Sequence, residues 1–232
     1  MSKENYKNIA QLRFWTEEEL QHRDMCQATI VDTVKRNLQS LNQAWRFARM
    51  EGPQLTPRSY MSEEYTDEDI WTTPVTFAEQ QIVLRAETTT STYAYIRENY
   101  NHKKLRLPMA FWQVGKSYRR EQTSSASKLR FFEFTQLEMQ CIYSIETKAD
   151  YRSNLLPELA AKISWLTSSE ARIVESDRLP SYSESTMDIE VLYKGSWREM
   201  ASISLRNDFS EAAVNLEVAV GLDRLVEAYF SP

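Results

Sequence analysis

Val31, Val34, Leu38, Leu41 and Trp45 recur in alternating steps of three and four, the spacing that sets side chains on one face of a helix. Thr16 and Glu19, ahead of that stripe, have the spacing of a capping box and mark where the helix begins. From Trp45 to Met50 the pattern becomes that of a strand, stopped by Gly52-Pro53. Residues 54–76 are polar and acidic with no period and read as a mobile loop. Strand character returns at Ile82 to Arg85, before a threonine-rich turn and a helix carrying Tyr93, Ile96 and Tyr100. Two long strands follow, over 110–121 and 130–143. In the second, Leu137, Met139, Cys141 and Tyr143 alternate with polar residues. The segment between them, QTSSASKL, reads as a polar hairpin loop. Leu155, Leu159, Ile163 and Leu166 predict a helix over 150–166. Strands are expected at 172–175, 187–193 and 197–203, and a helix over 221–230 closes the chain. This order predicts an α+β fold with a largely antiparallel sheet flanked by helices. No repeat or linker divides residues 1–232, which read as one domain.

Composition narrows the function. Of the 232 residues 42% are hydrophobic and 26% charged, the balance of a soluble globular chain. No apolar run approaches the ~18 residues of a membrane span, and the N-terminus lacks the apolar stretch of a secretory signal. A cytoplasmic protein with no membrane partner is expected. The net charge of −5 provides no overall positive field for nucleic acid, though a local basic patch is still allowed. Cys26 and Cys141 form no closely spaced pair, and with two histidines they make a poor zinc site. The four glycines, Gly52, Gly115, Gly195 and Gly221, are too scattered for a phosphate loop. A bound nucleotide would have to be held by side chains.

The richest stretch runs from Phe111 to Tyr143. In YRRE, Arg119 and Glu121 lie two apart on a strand and share a face. A guanidinium there can grip a phosphate through two hydrogen bonds. Phe132, Phe134, Gln136 and Glu138 also share a face, placing aromatic surface beside charge. Such a sheet can stack a base and clamp its phosphates. The spacing equally admits a surface ion pair and a row of core aromatics.

VGKSYRRE, a short loop and LRFFEFTQLEMQ resemble motif 2 of class II aminoacyl-tRNA synthetases. The helix before Trp45 and the strand ending at Pro53 are similar to motif 1, the dimer-forming element. LRAETT resembles the LRPET segment of glycyl-tRNA synthetases. DIEVLYKGSWREMASISLRNDF follows that family's pattern of DIE, a tryptophan, a glutamate and R-x-D, and NLEVAVGLDRL resembles motif 3. The likeness runs from about residue 24, leaving 1–23 as an N-terminal extension. It implies ATP-dependent activation of a small amino acid, with transfer to tRNA or another acceptor. Arg119 and Arg224 would act on the reacting groups. Arg119, Glu121, Arg130, Phe134 and Arg224 would bind ATP, with the adenine between Phe134 and Arg224. Glu87, Glu199, Ser202, Arg206 and Glu217 would line the amino-acid pocket. Mg²⁺ would bridge the phosphates with help from Glu190 or Glu199. Through motif 1 the resemblance also implies a homodimer.

The sequence departs from that pattern where selectivity is set. Ala86 stands for the proline of LRPET, Ser202 for a small glycine, and Ala219 for the serine of motif 3. WREMASIS is also somewhat similar to the corresponding strand of seryl-tRNA synthetases. Few residues separate Asp208 from Asn215, and with the chain ending at Pro232 no anticodon-binding domain is expected. Contact with tRNA would then fall to the acceptor end, through the polar loop beside Arg119, Arg120, Lys128 and Arg130. The alternative function is a catalytically silent paralogue that binds nucleic acid or a protein partner.

Overall fold

Thr16 caps the first long helix, α1 (Glu17–Leu41), as the spacing predicts: its hydroxyl accepts the Glu19 N–H, and the Glu19 carboxylate accepts the Thr16 N–H at 2.8 Å. The structure is a computed structural model that describes residues 8–9, 12–63, 65–101, 104–120, 129–177 and 182–231. The buried face of α1 starts earlier than the valine stripe, at Glu19, His22 and Cys26, and continues through Val31, Val34 and Leu38. Leu41 departs from that stripe and is exposed, and Trp45 lies beyond the helix end. Residues 17–23, expected as an extension, therefore contribute to the helix and its buried face.

Among the described residues seven strands form the main sheet. In chain order they are β1 (Arg46–Arg49), β5 (Met109–Tyr118), β6 (Glu133–Ser144), β7 (Ala171–Glu175), β8 (Ser183–Tyr193), β9 (Ser196–Ser210) and β10 (Ala213–Gly221). Their spatial order is β1-β5-β6-β10-β9-β8-β7, antiparallel except for the β1–β5 pair. Three helices, α1, α3 (Tyr151–Thr167) and α4 (Leu222–Phe230), contact one another on one face of it. The core lies between them and the sheet, with Leu137, Met139 and Cys141 of β6, Leu216, Val218 and Val220 of β10, and Ala201 and Ile203 of β9. Val31, Val34 and Leu38 belong to this same core, so the stripe is used within the chain. No helix among the described residues is long and apolar enough to cross a membrane.

The opposite face carries the alternate residues. On β6 these are Gln136, Glu138 and Gln140, all buried although polar. Burying such groups is costly unless they find partners, so this face should be either a hydrogen-bonded network or a binding surface. It is both.

Residues 54–76 correct the expectation of a mobile loop. They hold β2 (Leu55–Pro57), a 3₁₀ turn at Arg58–Tyr60, and most of β3 (Thr72–Phe77), which pairs with β4 (Gln80–Leu84). The small sheet runs β2-β4-β3. A strap between β2 and β3 is anchored by Met61 and Ile70, which are buried against Val83 and Ala86 with Tyr65 alongside. Helix α2 (Thr89–Asn101) follows and carries Tyr93 and Ile96 inward, as expected. Residues 122–128, read as a hairpin loop, lie outside the described residues; Leu129 beside them is buried.

Candidate functional site

Beside the β6, β9 and β10 strands, on the face away from the helices, lies a cavity of about 410 Å³. Strand alternation delivers Gln136 and Glu138 from β6, Ser202 and Ser204 from β9, Glu217 and Ala219 from β10, and Thr186 and Asp188 from β8. A bulge completes the set. Asp188 pairs with Ser202 and Ile189 with Ala201, but Glu190 pairs with Glu199, so β9 has one extra residue here. The bulge brings Glu199 onto the cavity while Met200 is buried in the core.

One wall is acidic and tightly wired. Asn215 donates to the Gln140 amide oxygen at 2.6 Å, and Gln140 donates to Glu217 at 2.9 Å. Arg206 donates to Glu217 at 2.7 Å and to Asp208 through two nitrogens at 3.0 and 3.1 Å. Its guanidinium lies 4.2 Å from the Tyr93 ring and 3.9 Å from the Tyr182 ring. Burial alone would favour a neutral Arg206, but Glu217 and Asp208 keep it charged. Arg206 thus departs from its expected place on the pocket surface: it stands behind the wall and holds Glu217, which lines the cavity. Glu138 accepts short hydrogen bonds from Thr89 and Gln136. Burial, then the charges of Glu217 and Glu87, push its carboxyl up to about 8. Burial and Glu217 also raise Glu87, while Tyr65 and Arg119 pull it back. Gln136 lines the cavity, and its amide oxygen is buried without a hydrogen-bond partner among the described residues. Carboxylates short of counter-charge suit a ligand rich in N–H donors, above all an ammonium.

Arg119 belongs to the lining of this cavity and also of a neighbouring crevice of about 20 Å³ formed with Phe134, Arg130, Gly221 and Arg224. Its Nε donates to the Ala86 carbonyl at 3.2 Å and its Nη2 to the Tyr65 hydroxyl at 3.1 Å. The guanidinium also lies 5.2 Å from the Phe134 ring. Arg224 donates to the Leu129 carbonyl at 3.2 Å and to the Glu199 backbone and side chain at 2.9 and 3.2 Å. Phe134 and Arg224 are therefore brought together as expected. The gap between them holds about one water, so a base can stack there only if an arginine swings aside. Glu121 lies outside the described residues.

Of the two glutamates expected beside the metal, Glu199 lines the cavity and Glu190 does not. Arg172 holds Glu190 at 2.6 and 2.8 Å, whereas Asp188 lines the cavity as Glu199 does. Among the described residues no three histidine, cysteine, aspartate or glutamate side chains converge to hold a metal ion. Mg²⁺ typically takes one or two carboxylates, keeps water and binds phosphate oxygens. Asp188 and Glu199 fit that limited role.

Sequence reasoning missed Tyr65, Tyr182, Glu138 as a pocket residue, and Asp188. Tyr65 and Tyr182 fall outside any periodic element. Glu138 and Asp188 lie inside the LRFFEFTQLEMQ and DIEVLYKG stretches, and cross-strand register is needed to turn them to the cavity.

A family profile described as tRNA synthetase class II core domain (G, H, P, S and T) matches residues 75–226. Glycine–tRNA ligases of Clostridium tetani and Macrococcus caseolyticus are each 30% identical to the chain, over 141 and 136 residues. These matches cover 57% and 56% of this chain but 29% of each relative, so the chain spans less than a third of their length. Among solved structures, prolyl-tRNA synthetase from Cryptosporidium parvum, complexed with halofuginone and AMPPNP, superposes with a TM-score of 0.71 at 16% identity. It covers 94% of this chain and 46% of that one. Cytoplasmic serine-tRNA ligase from Naegleria fowleri in complex with AMP gives 0.68 at 15% identity, over 93% and 49% of the two chains. These two likenesses concern the fold.

Proposed function

Because the chain belongs to the class II aminoacyl-tRNA synthetase core family, we propose that it activates a small amino acid with ATP to give an aminoacyl-adenylate. The observation that carries this reading is Arg119, shared by the acidic cavity and the aromatic crevice. An amino acid with its ammonium toward Glu87, Glu138 and Glu217 presents its carboxylate toward Arg119. A nucleotide entering past Phe134 and Arg224 brings its α-phosphate to the same guanidinium. The carboxylate oxygen attacks the α-phosphorus, a new O–P bond forms, and pyrophosphate leaves with the electron pair of the broken one. No protein nucleophile is required, since positioning supplies most of the acceleration. Arg119 stabilises the charge that grows on the phosphoryl oxygens. Mg²⁺, held by Asp188 and Glu199 together with the phosphates, would supply further neutralisation of that charge.

Glycine is the first candidate substrate, from the likeness to glycine–tRNA ligases. Ser202 and Ala219, side by side in the β9–β10 register, are the positions where another small amino acid would be selected. Transfer to the acceptor end of tRNA and a homodimer belong to the same proposal. The dimer rests on the motif 1 likeness, since the α1 stripe is already buried within the chain.

Isotope exchange between pyrophosphate and ATP, run with each amino acid in turn, tests the reading. Exchange should appear with one small amino acid, and Arg119→Ala should abolish most of it, at a cost of about 2–4 kcal/mol in transition-state stabilisation. ATP binding without exchange for any amino acid would favour the silent binding module. No ATP binding at all would defeat the activation reading and leave the silent paralogue, which binds nucleic acid or a protein partner.

A further inference from the structure

Tyr65 is the contribution of the strap to the site. Its backbone N–H donates to the Ser62 carbonyl at 3.1 Å, and its own carbonyl accepts Arg58 Nη2 at 2.7 Å. Beyond it, the strap is fastened to the end of β5: the Arg120 N–H donates to the Asp69 carbonyl at 2.9 Å, and Arg120 Nη1 to the Asp67 carbonyl at 3.2 Å. So held, the phenol lines the cavity with its hydroxyl between two groups of opposite charge. It donates to Glu87 at 2.9 Å and accepts from Arg119 at 3.1 Å, and the guanidinium lies 5.5 Å from its ring.

A phenol has one proton to give and lone pairs to accept with. With the proton committed to Glu87, the oxygen becomes a better acceptor for Arg119, because hydrogen bonds in a chain polarise one another. An ammonium arriving beside Glu87 fixes that carboxyl as an anion, which strengthens the Tyr65 bond and orients Arg119. A phosphate arriving at Arg119 fixes the other end of the same chain. Each ligand thus prepares the site of the other. We propose that Tyr65 is a positioning residue that couples the two half-sites, so that the amino acid and the nucleotide bind more tightly together than apart. This rests on the amino-acid activation reading above and names the device that would make it cooperative.

Calorimetry on the full chain tests it. The nucleotide probe is the α,β-methylene analogue of ATP, whose carbon bridge cannot be split, and the amino-acid probe is glycine or the one that supports exchange. In the unmodified protein each ligand should tighten the other by about fivefold or more, by the same factor in either order. In Tyr65→Phe the factor should fall to within twofold of one, with both ligands still bound singly. A merely structural role would weaken both single-ligand affinities and lower Tm while leaving the factor intact, and that result overturns the proposal. Glu87→Met, which removes the acceptor at the other end of the chain, should also lose the coupling and decides the matter if Tyr65→Phe does not fold. Independent binding in the unmodified protein defeats the coupling alone, whereas no binding of either ligand defeats it along with the activation reading.

Discussion

Gly115 carries a load out of proportion to its size, and replacing it with alanine should destabilise the fold and weaken the nucleotide site together. Its missing side chain leaves room for Arg85, which is buried to 1% exposure and donates to the carbonyls of Lys116 at 2.8 Å, Gly52 at 2.9 Å and Pro53 at 3.2 Å. A Cβ on Gly115 would fall well inside contact distance of Arg85 Nη2, with Arg85 Cζ at 3.3 Å and Thr88 Cγ2 at 3.4 Å closing the remaining space. The guanidinium must retreat and give up one of its three bonds and part of another. Bonds from a charged donor contribute about 1.5–3 kcal/mol each, so Gly115→Ala should cost about 3 kcal/mol. For a domain of this size that lowers Tm by about 6–12 °C. The displacement also reaches the site, because the carbonyl of Ala86, next in the chain, accepts Arg119 Nε. Denaturant titration, thermal melts and ATP calorimetry measure both effects. The cycle with Arg85→Met isolates the cause: the double variant should be no less stable than Arg85→Met alone, since the clash then has no object. Gly115→Ala within about 0.5 kcal/mol of the unmodified protein, or full additivity in the cycle, refutes the reasoning.

Two further outcomes follow from the site. Glu138, its carboxyl pushed up to about 8 by burial and Glu217, must lose its proton to receive an ammonium, so amino-acid affinity should rise from pH 6 to 8. Calorimetry in buffers of different ionisation heat should show proton release, and Glu138→Gln should flatten the profile; a flat profile in the unmodified protein counts against the assignment. Stability runs the opposite way, because the native state holds this proton more tightly: the contribution is full below the unfolded value of 4.5 and is lost as pH climbs through about 8. Asp223, fully buried at the start of α4, accepts the Thr135 N–H at 2.7 Å and Arg23 at 3.1 Å, tying the helix of Arg224 to the strand of Phe134. Asp223→Asn should cost about 1–3 kcal/mol and weaken ATP binding; an unchanged melt and unchanged affinity would show that the tie is idle.

How far the fold could be read from the chain depended on whether each turn announced itself. Lys194 and Gly195, both with positive φ, close the β8–β9 hairpin, and the glycine there advertises the turn. The strands expected at 187–193 and 197–203 are present, and this turn joins them. The β3–β4 hairpin uses the same kind of two-residue turn, but its residues are Ala78 and Glu79, at φ 48° and 64°. Neither side chain favours the left-handed region, so nothing in the local sequence separated this turn from a loop. Tertiary packing decides it: Val83 of β4 is buried with Ile70 and Met61.

The same distinction explains which site residues were legible. Phe134 and Glu217 sit on long, regular strands, Arg224 on α4 and Arg119 just past the end of β5, where a family motif marks all four. Glu199 owes its place to a bulge that no alternation rule contains, for a regular β9 would put Met200 on the cavity beside Ser202. Tyr65 owes its place to Met61, Ile70, Val83 and Ala86, apolar residues too far apart in sequence to show any period. The regular sheet therefore carries groups that grip charge wherever it appears, Glu138 and Glu217 among them. The irregular pieces, a bulge and a strap, set how those groups face one another. An acidic, aperiodic segment between two strands is accordingly a place to look for the residue that joins two half-sites.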